Sequence, residues 1–495
     1  MLEVFKMIRK FMIFCTLVLL VLGLSTPSIA TTTNVVPTNV KPSAAPTTLT
    51  LGGLFPLTGT LSAGGVERDA AARMAVKEIN ANTTLLPDTT LEMTVRDTQT
   101  DPTVGATAAT ELINAGVFGL VGAASSSVSI AIAEKAAASH VPQISYSSTN
   151  AALSNKTAYP YFLRDVPPDS VQGVALASIV YGLGIKNVAT LSTNDDYGSG
   201  GISVFETAYE GLGGTVATSQ QFDQGASSVL TQLQAIVDSG AKVIVLNTIV
   251  GDAKTVFSQA ADVGISPENG YQWFGTDGPT QDQVYTDASN NVDTTLRDAM
   301  QGMVGTAPNR GEGAVYNHFL DLWESCYNET DTVYAGCGDR TPNTYATFAY
   351  DAVYAFALAA QQMIDASADP TNGTALLPVL AGLEFQGATG PVSFDQNYDR
   401  NGVYDLLNQN GTIFVDIGNW DKVNGLVTTA DIMYACGYGD TNTCEATSSS
   451  GTSSAPSSTT KKSTGSSGFP GFELYLAGMS MAAIVIVKRK FYKKS

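Results

Sequence analysis

Histidine is nearly absent: the 495 residues include two, His140 and His318. Neither sits in a cleft motif, so a histidine-dependent nucleophilic triad is not expected. The chain also lacks Gly-x-Ser-x-Gly, His-Glu-x-x-His, the phosphate-binding Gly-x-x-x-x-Gly-Lys-Ser/Thr and Gly-x-Gly-x-x-Gly, and with them the chemistry those spacings support. The reading is therefore not an enzyme, and no cofactor is expected. Charge is scarce too, at 14%, and basic charge scarcest: 26 Lys and Arg stand against 45 Asp and Glu, for a net charge of −19. Residues 31–445 hold 16 basic and 43 acidic residues. An acidic body excludes nucleic acid as a partner, because binding it needs a basic face.

Cysteine is limited to five. Cys15 lies in an apolar leader, and the other four form two close pairs, Cys326/Cys337 and Cys436/Cys444. An even number in an exported chain predicts two disulfides closing short loops. A metal site would need Cys-x-x-Cys spacing, which is missing, so no metal is expected. The leader, residues 1–30, reads as a signal peptide: Lys6, Arg9 and Lys10, an apolar run over 11–24, and small residues at Ser28-Ile-Ala30. Cys15 falls inside the apolar run rather than at its end, which argues against a lipoprotein. Residues 31–47 read as a Thr/Pro/Ala-rich disordered spacer, and 446–468 as a Ser/Thr/Gly-rich flexible linker. Residues 469–495 begin with Phe469-Pro-Gly-Phe472-Glu473, continue as an apolar run over 474–487, and end in Lys488-Arg489-Lys490, Lys493 and Lys494. This predicts a C-terminal membrane anchor, a transmembrane helix with a basic cytoplasmic tail. It resembles the Pro-Gly-Phe anchor signals of archaeal surface proteins, although Glu473 departs from their apolar pattern. The body would then sit outside the cell, on the outer face of the membrane. Asn-x-Ser/Thr sequons begin at Asn82, Asn155, Asn328, Asn372 and Asn410.

Between these ends the chain alternates. Strands are predicted over 49–55, 91–95 and 118–121, with helices over 66–80 and 104–115. The alternation restarts after Asp165-Val-Pro-Pro168, with strands over 187–191, 215–221, 242–246 and 272–274. Its helices fall over 170–181, 201–211, 227–238 and 253–263. Such βαβ repetition implies parallel sheets with helices on both faces. From Gly311 the pattern turns helical, over 314–323 and 344–364. It closes in strands over 391–394, 404–408 and 412–415, with Asn410-Gly411 as a hairpin turn. Residues 118–153 organise the first half. Two strands there each end in a hydroxyl-rich turn, Ser125-Ser126-Ser127 and Ser147-Ser148-Thr149, on the edge where open α/β sheets bind ligands. Ser127 could cap the following helix and help present backbone amides to an anion. The second turn offers hydroxyls and carbonyls to a cation, so a small zwitterion suits the pair. As residue types alone, these are also ordinary turn residues.

Nine collinear motifs over about residues 48–420 make the pattern specific. They are Leu54-Phe-Pro-Leu-Thr58-Gly59; Ala75-Val-Lys-Glu-Ile-Asn80; Arg96-Asp97-Thr with Asp101-Pro102; Val121-Gly-Ala-Ala-Ser-Ser-Ser127; Val141-Pro-Gln-Ile-Ser145; Asp195-Asp-Tyr197-Gly198; Phe274-Gly-Thr-Asp277-Gly278; Tyr345-Ala with Tyr350-Asp351-Ala; and Gly390-Pro391-Val-Ser-Phe394-Asp. The chain resembles a type I periplasmic solute-binding protein of the leucine/isoleucine/valine-binding family, the substrate-binding component of ABC transporters. The same fold occurs in the ligand-binding regions of some eukaryotic receptors.

The resemblance implies an α/β fold of two lobes, each a parallel sheet flanked by helices, joined by three crossings near Val166, Pro308 and Pro391. The N-lobe would hold 48–166 and 308–391, and the C-lobe 167–307 and 392–445. It further implies that Ser126 and Ser127 hold an α-carboxylate, and that Ser147, Ser148 and Thr149 hold an ammonium. Asp277 would face the ammonium from the opposite lobe, Tyr197 would cover the ligand, and Tyr345 would project into the cleft. Two departures bear on the pocket. Gly64 stands near the place of a family aromatic, leaving one wall open, and Asn247-Thr-Ile249-Val250 replaces a Tyr-bearing stretch. Asp395-Gln-Asn397-Tyr-Asp399-Arg400-Asn401-Gly402 has calcium-loop composition, but Arg400 stands at the sixth position and Leu406 at the twelfth, so a hairpin turn is expected. The expected function is capture of an amino acid, branched-chain or related, or a similar small polar molecule, and its delivery to an ABC importer permease. The alternatives are a ligand-sensing receptor ectodomain acting through a partner, and a structural surface-layer or adhesion protein.

Overall fold

Short apolar runs punctuated by Gly, Asp and Ser make the strands, and Ala-rich segments between them make the helices. A computed structural model describes residues 45–287, 291–326, 337, 341–421 and 423–436. The first half runs β1 (Thr48–Phe55), α1 (Ser62–Ala81), β2 (Thr90–Asp97), α2 (Pro102–Asn114), β3 (Gly119–Gly122), α3 (Ser126–Ser139), β4 (Gln143–Ser145) and β5 (Phe162–Arg164). Its five strands form one parallel sheet in the order β2-β1-β3-β4-β5.

The chain then builds α4 (Asp169–Gly182), β6 (Asn187–Thr193), α5 (Asp196–Gly211), β7 (Thr215–Phe222), α6 (Leu230–Ser239), β8 (Val243–Asn247), α7 (Val250–Ala260), β9 (Gln272–Gly275), α8 (Thr294–Ala299) and β10 (Val304–Pro308). It continues through α9 (Gly313–Cys326), α10 (Thr344–Asp365), α11 (Gly373–Ala381), β11 (Glu384–Gly387) and β12 (Gly390–Ser393), and ends in β13 (Tyr404–Gln409), β14 (Phe414–Asp421) and β15 (Gly425–Thr428). The second sheet has the order β15-β14-β13-β10-β9-β8-β6-β7. It is parallel from β7 to β10, and β13 to β15 add to it antiparallel. These two helix-flanked sheets are the α/β architecture of the type I periplasmic-binding-protein fold. The strands β5, β10, β11 and β15 and the helices α8 and α11 appear in addition to the expected elements.

Helix starts follow side-chain chemistry. Asp101 accepts the amides of Thr103 and Val104 at 2.7 and 2.9 Å, with Pro102 at the first helical position of α2. Asp195 accepts Gly198 N at 2.7 Å to start α5. The helix α10 is apolar almost all round, as a core helix must be, and Phe356 and Ala360 are fully buried. It packs on β3 because Gly119 leaves room: a Cβ there would lie 2.2 Å from the Phe356 ring.

Cys326 and Cys337 form the expected disulfide, with Cα atoms 5.9 Å apart. Cys436 is also disulfide-bonded; its expected partner Cys444 lies outside the described residues, as do the leader, spacer, linker and anchor. Among the described residues no helix is long and apolar enough to cross a membrane.

The connections between the sheets rest on buried ionic groups. Arg164 is fully buried. Its Nε meets Asp399 Oδ1 at 2.7 Å, its Nη1 donates to the carbonyls of Ser148 (3.2 Å) and Asn150 (2.8 Å), and its Nη2 donates to Ser154 Oγ (2.7 Å). Arg400 donates to the carbonyls of Asp165 (3.1 Å), Thr389 (2.8 Å) and Pro391 (3.0 Å). The aspartates of segment 395–402 are thereby engaged: Asp399 pairs with Arg164, and Asp395 accepts the amides of Asn397 (2.7 Å) and Asp399 (3.1 Å). Among the described residues no cluster of metal-ligating side chains occurs.

Burial raises several carboxyls: Asp169 to about 7, Asp252 and Asp405 each to about 6, and Asp165 well above the carboxylate range against the pull of Arg400. Each binds its proton more tightly folded than unfolded, where an aspartate titrates near about 3.9. Their stabilisation is therefore full below about pH 4 and is lost as pH rises through 6 to 7. The melting temperature is expected to fall by several degrees between pH 5 and pH 7.5. A calorimetric pH series checks this, and a rise over that interval would contradict it.

Candidate ligand-binding site

The carboxyl ends of β1, β3 and β4 face those of β6, β8 and β9 across a cavity of about 30 Å³. One sheet brings Arg68 on α1, Ser126 at the start of α3, and Ser147 after β4. The other brings Tyr197 in the first turn of α5, Ile249 and Val250 at the start of α7, and Asp277 two residues beyond β9. Tyr345, near the N-terminus of α10, completes the lining.

Asp277 is buried, and its carboxylate accepts from two phenols. Tyr197 donates to Oδ1 at 3.0 Å and Tyr345 donates to Oδ2. Burial raises the Asp277 pKa, and the two phenolic hydrogen bonds oppose the rise. Gly278 beside it must be glycine, because a Cβ would lie 2.0 Å from the Thr248 carbonyl oxygen. The turn of expected departure, Asn247 to Val250, divides its roles. Asn247 turns inward and donates to the carbonyls of Tyr197 (3.2 Å) and Gly198 (3.0 Å), fixing the first turn of α5. Ile249 and Val250 face the cavity and make that wall apolar.

Five of the eight expected ligand residues converge here: Ser126, Ser147, Tyr197, Asp277 and Tyr345. Ser126 Oγ accepts Asn150 N at 3.1 Å, which leaves its hydroxyl proton available to an anion. Ser147 donates to the Ala124 carbonyl at 2.9 Å, so its oxygen remains an acceptor. The other three, Ser127, Ser148 and Thr149, are not part of the lining. Ser148 donates to Ser129 Oγ at 2.8 Å and to backbone carbonyls, and the Thr149 carbonyl accepts Asp169 N at 2.7 Å. Ser127 does not cap α3. Ser125 holds the N-cap position, without a side-chain cap bond, and the Ser127 hydroxyl meets Ser125 Oγ at 3.0 Å. The first amides of α3 still lack intrahelical acceptors, as at every helix start, and form an anion-binding end.

The residue missed by the sequence reading is Arg68. Its side chain fills the wall expected to be open at Gly64, where a Cβ would lie 2.9 Å from Arg68 Nη2. The guanidinium lies over the Tyr345 ring at 5.1 Å from the centroid, and its Nε donates to Asn343 Oδ1 at 3.3 Å. Its Nη1 is buried with no hydrogen-bond partner among the described residues. Burial lowers the Arg68 pKa below the ordinary guanidinium value. A signal was present: Glu67-Arg68-Asp69 is a charged triplet in an otherwise Ala-rich helix. Their exposures of 0%, 3% and 9% show that it is no surface patch.

Two lobes meet across the cavity through direct hydrogen bonds. Besides Tyr345 to Asp277, Asn343 Nδ2 donates to Gln281 Oε1 (2.8 Å) and Gln283 Oε1 (2.7 Å), and Asn150 donates to the Asp196 carbonyl. A buried cationic nitrogen left unpaired is costly to the fold. Arg68→Met is therefore expected to raise the melting temperature of the ligand-free protein by a few degrees while removing affinity for a carboxylate ligand. Thermal unfolding with and without ligand checks both. A drop in stability with affinity intact would make Arg68 structural.

Two α/β lobes meeting at a small cavity, with a buried acid on one side and a buried guanidinium on the other, define a ligand-binding domain of the type I periplasmic-binding class. The chain belongs to the receptor family ligand binding region, whose profile matches residues 67–412. Solved structures share the fold. The isoleucine-bound branched-chain amino acid transporter substrate-binding protein LivJ of Streptococcus pneumoniae superposes with a TM-score of 0.62 at 24% identity, over 74% of this chain and 99% of that one. The leucine-binding protein LivK of Thermotoga maritima gives 0.64 at 21%, over 76% and 99%. Among relatives by sequence, glutamate receptor 3.1 of Oryza sativa subsp. japonica is 26% identical over 420 residues, 79% of this chain and 44% of that protein. Metabotropic glutamate receptor-like protein E of Dictyostelium discoideum is 30% identical over 342 residues, 66% and 40%. Metabotropic glutamate receptor 6 of Mus musculus is 27% identical over 451 residues, 74% and 50%. The chain thus spans half the length or less of these receptors.

Proposed function

We propose that this chain is an exported amino-acid-binding protein, held at the outer face of the membrane by residues 469–495, that delivers its ligand to an ABC importer permease. The observation that carries the reading is the placement of Asp277 and Arg68 on opposite sides of one cavity between the lobes. Asp277, with the Ser147 oxygen, meets the ammonium. Ser126 and the first amides of α3 meet the α-carboxylate. The Arg68 guanidinium, which lines the cavity, then meets a third group. A branched aliphatic side chain would leave that donor unpaired, whereas a carboxylate would satisfy it. The ligand class is therefore an acidic α-amino acid rather than a branched-chain one. The glutamate in the names of the receptor relatives supports the same choice.

A second reading, a sensing ectodomain that acts through a partner, has one observation in its favour: the relatives by sequence are receptors. Uptake of labelled ligand by cells with and without the gene separates importer from sensor.

The test of binding is thermal unfolding against aspartate, glutamate, leucine, isoleucine, amides and small carboxylates. A ligand at 100 times its dissociation constant adds about 2.7 kcal/mol. Glutamate or aspartate is expected to stabilise the protein, and Asp277→Ala to abolish the effect. Stabilisation by leucine alone would keep the site but overturn the acidic class. No response across the panel would shift the reading to a structural surface protein.

A further inference from the structure

The inner cavity of about 30 Å³ abuts a second hollow of about 440 Å³, and Gln281 borders both. The partition between them is slight. Asn343 bonds Gln281 and Gln283 on the facing lobe and Arg68 behind it, all through one neutral amide. The two bonds to the facing lobe join uncharged groups, the weak members of their class, and Asn343 also borders the larger hollow.

The outer hollow has its own chemistry. Arg310 reaches it just beyond β10, and Arg297 from α8. Arg297 pairs with Asp298 at 2.9 Å, while Arg310 has no ion-pair partner among the described residues. Tyr285 and Phe414 stack along the wall with centroids 6.4 Å apart. The one lining carboxylate, Asp282, is engaged by Phe414 N at 3.2 Å and by the Tyr285 hydroxyl. The hollow therefore combines an apolar wall with a cation, Arg310, that attracts Asp405 through space but contacts no carboxylate among the described residues.

We propose that the cleft is bipartite and takes an amino acid whose side-chain carboxyl carries an amide-linked, anionic extension, that is, a γ-linked dipeptide. The α-amino-acid head occupies the inner cavity once the lobes part to enlarge it, because its present volume of about 30 Å³ suits only a water molecule or two. The side-chain carbonyl accepts from the Arg68 guanidinium. The extension passes Asn343 as that side chain swings aside, and its carboxylate meets Arg310. This inference rests on the amino-acid-binding reading above and extends the same site. Extension through the α-carboxylate is not accommodated, because that group faces Ser126 and the closed start of α3.

Titration calorimetry of the full chain with glutamate, γ-glutamylglycine, γ-glutamylglutamate and α-glutamylglycine tests it. The γ-linked dipeptides are expected to bind within about tenfold of glutamate or tighter, and α-glutamylglycine at least about a hundredfold weaker, on the scale where about 1.4 kcal/mol is tenfold. Arg310→Gln lies outside the inner cavity. It should weaken the γ-linked dipeptides about tenfold and leave glutamate within about threefold. Asn343→Ser keeps a hydroxyl to cap α10 and shortens the gate, so it should strengthen the γ-linked dipeptides relative to glutamate. Loss of γ-dipeptide binding in the wild type and in Asn343→Ser, with glutamate bound, overturns the bipartite cleft alone. So does an Arg310→Gln effect that is equal on all ligands. Absence of binding by every compound, glutamate included, refutes the parent reading and this one together.

Discussion

A single buried carboxylate, Asp277, holds the two lobes in register. It accepts one phenol from its own lobe, Tyr197, and one from the other, Tyr345. A carboxylate taken from water is tolerated only when its lone pairs are met, so the position of each phenol becomes a structural requirement. Asn247 serves that requirement by fixing the backbone of Tyr197, and Thr276 Oγ1 donates to Asn247 Oδ1 at 2.7 Å to fix Asn247 in turn. Asn343 caps the helix that carries Tyr345, accepting Tyr345 N at 2.9 Å. The same Asn343 bridges to Gln281 on the facing lobe. The closed geometry is thus over-determined around one acid.

The far side of the connection is held by cations rather than anions. Arg164 gives two of its four hydrogen bonds to main-chain carbonyls, and Arg400 gives three of its four to carbonyls of the crossing segments. Such bonds fix chain path without depending on side-chain rotamers elsewhere. Arg164 also ties the Ser148 and Asn150 carbonyls, which border the turn carrying Ser147, to Asp399. A ligand contact at Ser147 is therefore mechanically continuous with the segment joining β12 to β13. Asp351 adds to this frame by accepting the amides of Ala388 and Thr389 at 2.7 and 2.9 Å, just before β12.

Most of the fold was legible because long elements carry clear periods: α10, β1, β6 and β8 all fall where the pattern puts them. The elements that escaped have physical reasons. The strand β10 contains Gly305 and Pro308 and is buried throughout, so it shows no alternation. The strand β5 has three residues, and β15 is a four-residue edge strand. The site was legible where residues lie in short turns after strands, because chain topology alone brings such turns to one edge. That covers Ser126, Ser147, Tyr197 and Asp277. Ser148 and Thr149 share the same turn but point back into the lobe, a distinction of side-chain direction that composition does not carry. Arg68 was not legible from periodicity, because it lies on a helix buried on most sides, where a charge breaks the pattern rather than completing it.

That break is informative about function. A guanidinium and a carboxylate buried on either side of a 30 Å³ cavity do not contact each other as a salt bridge. Their direct contacts are with neutral groups, Arg68 with Asn343 and the Tyr345 face and Asp277 with two phenols, while Glu67 and Asp277 attract Arg68 through space. Burial without a contacting ion pair leaves both groups desolvated, so the closed state carries an electrostatic cost in the absence of ligand. A ligand that brings a carboxylate to one side and an ammonium to the other removes that cost only when the lobes are closed. Its differential affinity for the closed state is then large, which is what closure by a ligand requires. An uncharged solute of equal size would gain contact with Ile249 and Val250 but leave both charges as they were. It would bind open and closed forms with little distinction. The two buried charges therefore make closure itself the selective step, and they select for charge separation across the ligand before they select for its shape.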